Sequence, residues 1–118
     1  MRLSQVGEYT EAFNVKTEQA LPCGPIYQSE GLQTHVAKRH PREIGNLSLV
    51  PEIIASPDYI GKNPKQPNSV ELVKVFDANV MVCVKLDSSN GYFYVASVFE
   101  ISNAKLNNRL NSGRLKNY

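Results

Sequence analysis

The run Thr34-His35-Val36-Ala37-Lys38-Arg39-His40-Pro41 holds both histidines of the chain and two of its cations. On a helix, His35 and Arg39 lie one turn apart and Lys38 is three residues from His35, so imidazole, ammonium and guanidinium converge on one spot. That spot suits a phosphate. Cleaving RNA without a metal requires a base to take the 2′-hydroxyl proton, an acid to protonate the leaving 5′ oxygen, and cations to hold the charge that builds on phosphorus. His, Lys and Arg supply all three near neutral pH. The competing explanation is structural: cations gather at a helix C-terminus because the macrodipole favours them by about 0.3 to 1 kcal/mol. A zinc site is not expected, because His35 and His40 point roughly 140° apart on an ideal helix and no nearby Asp, Glu or Cys completes a ligand set. No cofactor is expected either.

The second candidate is Ser97. In a strand from Tyr92 to Ile101, alternation puts Phe93, Val95, Ser97, Phe99 and Ile101 on one face and Tyr92, Tyr94, Ala96, Val98 and Glu100 on the other. A hydroxyl thus interrupts an apolar row, either to make a buried hydrogen bond or to reach a phosphate oxygen where the row opens into a cleft. Lys74 likewise breaks the row of Val70, Leu72 and Phe76; lysines at strand ends usually snorkel to water. Tyrosines such as Tyr59, Tyr92 and Tyr94 can stack on bases or simply cover a sheet. Tyr59, Lys62, Lys74 and Arg114 are the candidate substrate contacts.

The elements that must position these groups follow from periodicity and punctuation. Residues 1–30 read as strand or loop, with a roughly alternating start, a Leu-Pro-Cys-Gly-Pro turn at 21–25 and a short strand from Ile26 to Ser29. Leu32, His35, Val36, Arg39 and His40 form one helical stripe, stopped by Pro41. A second helix spans about Leu47 to Ala55, capped by Asn46 or Ser48, with Pro51 in its first turn and Pro57 ending it. Ser56 to Ser69 is a Pro- and Gly-bearing surface loop whose cations are Lys62 and Lys65. Strands Val70–Phe76, Val80–Leu86 and Tyr92–Ile101 are joined by Asp77-Ala78-Asn79 and by Asp-Ser-Ser-Asn-Gly at 87–91, an antiparallel meander. Ser102 caps a last helix that carries Leu106 and Leu110 and stops at Gly113, before a basic tail from Arg114 to Tyr118.

The expected fold is therefore α+β, with N-terminal helices and a C-terminal helix on an antiparallel sheet of three to five strands. At 118 residues one core is expected and 1–118 reads as a single domain. An apolar content of 42% and a charged content of 20% are those of an ordinary globular chain, not of a disordered one or a coiled coil. No stretch approaches the roughly 20 apolar residues of a membrane span, and the start does not read as a secretory signal. Cys23 and Cys83 fit free thiols in a reducing cytoplasm better than a disulfide. A net charge of +2 attracts nucleic acid only if the cations cluster.

Together, the run from His35 to Pro41, the helix exit Ile53-Ile-Ala-Ser-Pro-Asp-Tyr-Ile60, the paired strands from Val70 to Leu86, and Tyr94-Val-Ala-Ser-Val-Phe99 ahead of a helix resemble the phage-encoded, PBECR-type branch of the barnase, EndoU, colicin and RelE-like nucleases. The similarity covers about residues 26–114. The resemblance implies helices packed on an antiparallel sheet and a metal-independent endoribonuclease, a toxin or phage effector that leaves a 2′,3′-cyclic phosphate. Its partners are then RNA and a cognate immunity or antitoxin protein, and its place the cytoplasm of a bacterial host. Carried over residue by residue, His35 is the helix histidine acting as base or acid. Lys38, Arg39 and His40 are its basic companions, Ser97 the strand hydroxyl that donates to phosphate, and Lys74 a charge stabiliser. The sequence departs from the pattern in having no histidine outside the helix and no glutamate clearly placed as a base, which leaves acid and base unassigned. The rival expectation is a non-catalytic phage or mobile-element module that binds a protein or RNA through the same basic helix.

Overall fold

A computed structural model describes residues 3–39 and 41–118, leaving aside the side chains of residues 39 and 41–44. In chain order the elements are β1 (Leu3–Tyr9), α1 (Glu11–Thr17), β2 (Gly24–Ser29), α2 (Glu30–Arg39), a 3-10 segment (Pro41–Leu49), α3 (Val50–Ala55), β3 (Tyr59–Gly61), β4 (Ser69–Val75), β5 (Asn79–Asp87), β6 (Tyr92–Ile101), α4 (Asn103–Ser112) and β7 (Leu115–Asn117). The strands form one mixed sheet in the order β1-β2-β6-β5-β4-β3-β7. Among the described residues only β2 and β6 pair in parallel.

The mixed α+β class is as expected, but the sheet has seven strands rather than three to five. Two of the additions, β3 and β7, are three residues long and pair with each other; alternation cannot show in so short a run. They lie in what reads as a surface loop and a basic tail. Another difference is α1, whose side of the chain is organised by the buried Asn14. Asn14 accepts from the Tyr9 hydroxyl at 2.7 Å and from the Leu21 N–H at 3.0 Å, and donates to the Leu21 carbonyl at 2.7 Å. A polar hub of this kind leaves no periodic trace. Of the expected helix at 47–55, the first turn is 3-10 and α3 starts at Val50, with Pro51 in its first turn.

The larger core lies between one face of the sheet and helices α1 to α3. Val70 and Leu72 of β4, Val82 and Val84 of β5, and Phe93, Val95 and Val98 of β6 meet Leu32 and Val36 of α2 and Ile53 and Ile54 of α3. Each fully buried aliphatic side chain there contributes roughly 1.5–3 kcal/mol. Tyr9 stacks on Phe93 with centroids 4.3 Å apart, which seats β1 and α1 on this core. The opposite face carries a smaller core, in which Leu106 of α4 covers Val73, Met81, Ile101 and Leu115. The helix that covers it starts and stops as its sequence dictates: the Ser102 hydroxyl accepts from the Lys105 N–H at 3.1 Å, and Gly113 adopts the left-handed φ of 83°.

Candidate active site

The face under α4 is only half covered. Its uncovered half is a row of residues that are direct neighbours across four strands: Gly61, Glu71, Cys83 and Ser97. The row beside it, Tyr59, Val73, Met81 and Phe99, lies beneath the helix. Above the open row is a cleft of about 370 Å³, lined by Glu71, Cys83, Lys85, Ser97 and Phe99 of the sheet, by Arg109 of α4, by Arg114, and by His35 of α2.

Ser97 reaches this cleft because of a β-bulge. The β5–β6 register runs Cys83↔Ser97 and then Val84↔Val95, so Ala96 is the extra residue. Strict alternation, which puts Ser97 in the row of Phe93 and Val95, is therefore corrected. Phe93, Val95 and Val98 face the large core, while Ala96 and Ser97 both line the cleft. His35 enters from the side. Leu32 and Val36 anchor α2 in the large core and leave His35 exposed on the helix flank. There it also lines a shallow recess beside Tyr94, Val95 and Ala96 at the edge of β6.

Among the described residues three cations border the cleft, Lys85, Arg109 and Arg114, against one carboxylate. Glu71 is 4% exposed and is held by Arg114, whose Nε and Nη2 donate to its two oxygens at 2.9 and 2.7 Å. The same contact raises the Arg114 pKa above its ordinary value, chiefly through the hydrogen bonds its N–H groups donate to the carboxylate. Burial pushes the Cys83 thiol up to about 12, with the Glu71 charge adding to the effect. That thiol stays protonated and is not a nucleophile near neutral pH. The cleft is thus net positive, with a serine hydroxyl and an imidazole on its walls.

The remaining candidates lie elsewhere. Lys38 is exposed on α2 and outside the residues lining the cleft. The Arg39 side chain and His40 lie outside the described residues. Lys74 is on the opposite face of β4 from Glu71, where its Nζ donates to the Ser56 carbonyl at 2.7 Å. Tyr59 packs into the smaller core. Lys62 lines a neighbouring cleft that also includes Arg114. Reasoning from sequence passed over Lys85 and Arg109. The signal for Lys85 was its alternation with Met81 and Cys83; Arg109, at the end of α4, had none until the helix was placed over the sheet.

A family model described as phage-Barnase-EndoU-ColicinE5/D-RelE like nuclease3 (PBECR3) matches residues 4–108. The chain belongs to this nuclease family. Membership in PBECR3 implies a nucleic-acid substrate, in keeping with the positive cleft. The PBECR3 match starts within β1 and ends within α4; it takes in His35, Glu71, Cys83, Lys85 and Ser97 of the cleft, while Arg109 and Arg114 lie just beyond it. No curated protein and no solved structure matches the chain. Among the described residues no helix is long and apolar enough to cross a membrane.

Proposed function

We propose that this nuclease cleaves RNA without a metal ion, at the cleft between α2, β6 and α4. The 2′ oxygen attacks the adjacent phosphorus and the bond to the 5′ oxygen breaks. One product strand ends in a 2′,3′-cyclic phosphate and the other in a 5′-hydroxyl. One proton leaves the 2′-hydroxyl and one reaches the 5′ oxygen, and His35 moves one of the two. Lys85, Arg109 and Arg114 hold the non-bridging oxygens as charge grows on them, and the Ser97 hydroxyl donates to the same phosphate. Glu71 does not serve as the base, since both its oxygens are engaged by Arg114; its role is to position that guanidinium. Lys38 and Arg39, one turn beyond His35, meet flanking phosphates. Lys74 and Tyr59 take no part, given the contacts that hold them. The setting is that of a toxin or phage effector acting on RNA in a bacterial cytoplasm, restrained there by a cognate immunity protein.

The observation that carries this reading is that His35 and Ser97, 62 residues apart in sequence and on different elements, line one open cleft with three cations. A second reading, a non-catalytic RNA-binding module, draws on a different observation: the cleft's carboxylate is tied up by Arg114, which leaves His35 as its lone imidazole among the described residues. Incubating the purified protein with total RNA in EDTA separates the two. Fragments with cyclic phosphate ends support cleavage; intact RNA with a salt-sensitive gel shift supports the binder.

A further inference from the structure

Arg114 borders a second cleft as well. This one, of about 440 Å³, is lined by Lys16 and Thr17 at the end of α1, Glu18 beyond it, Lys62 after β3, and Lys116 on β7. Among the described residues, three lysines from three segments far apart in sequence therefore surround one concavity, with Glu18 as its one acidic residue. None of the three ammonium groups makes a hydrogen bond or an ion pair with another described residue. The β3–β7 pairing brings two of them together: Ile60 is opposite Lys116 and Gly61 opposite Leu115, which sets Lys62, just past the end of β3, close to Lys116 on β7.

Gly61 makes this junction possible. A Cβ at that position would collide with the Arg114 backbone carbonyl, so only glycine allows the chain at Arg114 to cross so close to β3. The crossing carries the Arg114 side chain to Glu71 in the first cleft while its neighbours border the second. The two clefts are in this way joined at Arg114.

We infer that the second cleft is a backbone subsite of the same RNA, holding one or more phosphates of the single strand that flanks the scissile bond. This rests on the proposed RNA substrate and extends it, adding Lys16, Lys62 and Lys116 as contacts that position the strand without touching the reacting atoms. Single-stranded RNA is favoured over duplex because attack by the 2′ oxygen needs it in line with the departing 5′ oxygen, a geometry a regular A-form helix does not allow. Lysines without partners around an open groove are what a sliding phosphate backbone needs.

The test is a binding measurement, so that it does not depend on turnover. The protein carrying His35→Ala is titrated against a fluorescein-labelled RNA 12-mer, and anisotropy gives the affinity at several salt concentrations. Adding K62Q/K116Q is expected to weaken binding about tenfold near 0.1 M salt and to reduce the slope of log affinity against log salt by about 1.4, since each contact with a single strand contributes about 0.7. The comparison pair S4E/Q5E makes the same change in net charge at exposed positions of β1, outside both clefts and at the opposite edge of the sheet from β3 and β7, and is expected to change affinity less than twofold, because charges beyond about 10 Å are screened at this salt. Equal losses from the two pairs, or no loss from K62Q/K116Q, overturn the subsite. If the wild-type protein leaves RNA uncut, the cleavage reading fails while this binding result stands or falls alone.

Discussion

Arg114 grips Glu71 with two parallel hydrogen bonds of 2.9 and 2.7 Å across β3, which tethers the chain entering β7 to the middle of the sheet. The carboxylate is nearly sealed, with side-chain exposures of 25% for Arg114 and 5% for Glu71. Removing one partner leaves a buried charge unpaired, whereas removing both does not. Arg114→Gln is expected to lower stability by about 3 kcal/mol, and Glu71→Gln/Arg114→Gln by less than half of that. Urea unfolding of the wild type, both single variants and the double variant forms the cycle that measures the difference.

Gly61→Ala strikes the same junction from the backbone side. The new methyl group meets the Arg114 carbonyl, and a rigid backbone yields less readily than a side chain. A loss of about 2 kcal/mol is expected, with amide exchange in β7 rising well above that in β5.

Asp87 anchors the β5–β6 turn. Its carboxyl is held below the ordinary value of 3.8, first by the Asn90 side chain and then by the Asn90 backbone N–H, with a further contribution from the Ser89 N–H. A group depressed in the folded state stabilises it above the unfolded pKa, and that contribution disappears as pH falls through the folded pKa. Urea midpoints of wild type and Asp87→Asn are expected to differ at pH 6 and to converge towards pH 2.

Cys23 is exposed, whereas Cys83 faces the cleft floor with its thiol pushed up to about 12 by burial. Iodoacetamide at pH 8 is expected to label Cys23 promptly and Cys83 only on unfolding, as peptide mass spectrometry with and without urea would read out. Prompt labelling of Cys83 would mean the cleft floor is wetter than described.

These elements also show what could be read from the sequence. The caps at Ser102 and Gly113, the meander from β4 to β6 and the stripe of α2 were legible because each depends on local chemistry: a hydroxyl, a left-handed turn, a repeat. The cleft was legible only in part. His35 and Ser97 stood out by type, yet the face to which Ser97 belongs depends on the single inserted residue Ala96, which no spacing rule marks. Lys85 and Arg109 gained meaning only once α4 was laid over half of one face. Strands β3 and β7, too short to alternate, exist because they pair with each other and because Gly61 lets them approach.

Ser97→Ala removes a hydroxyl donor from the cleft without changing the fold. Cleavage of RNA is expected to slow about 10- to 100-fold, the effect of losing one to three kcal/mol of transition-state stabilisation, while the urea midpoint stays near that of the wild type.

The most direct measurement is single-turnover cleavage of an end-labelled RNA in excess EDTA by wild type and His35→Ala, both shown to be folded by circular dichroism. Cleavage by the wild type to cyclic phosphate ends, slowed about 10²- to 10⁴-fold by the substitution, is the expected result. Equal rates in the two proteins, or fragments ending in a 3′-hydroxyl, would contradict an imidazole-driven attack by the 2′ oxygen.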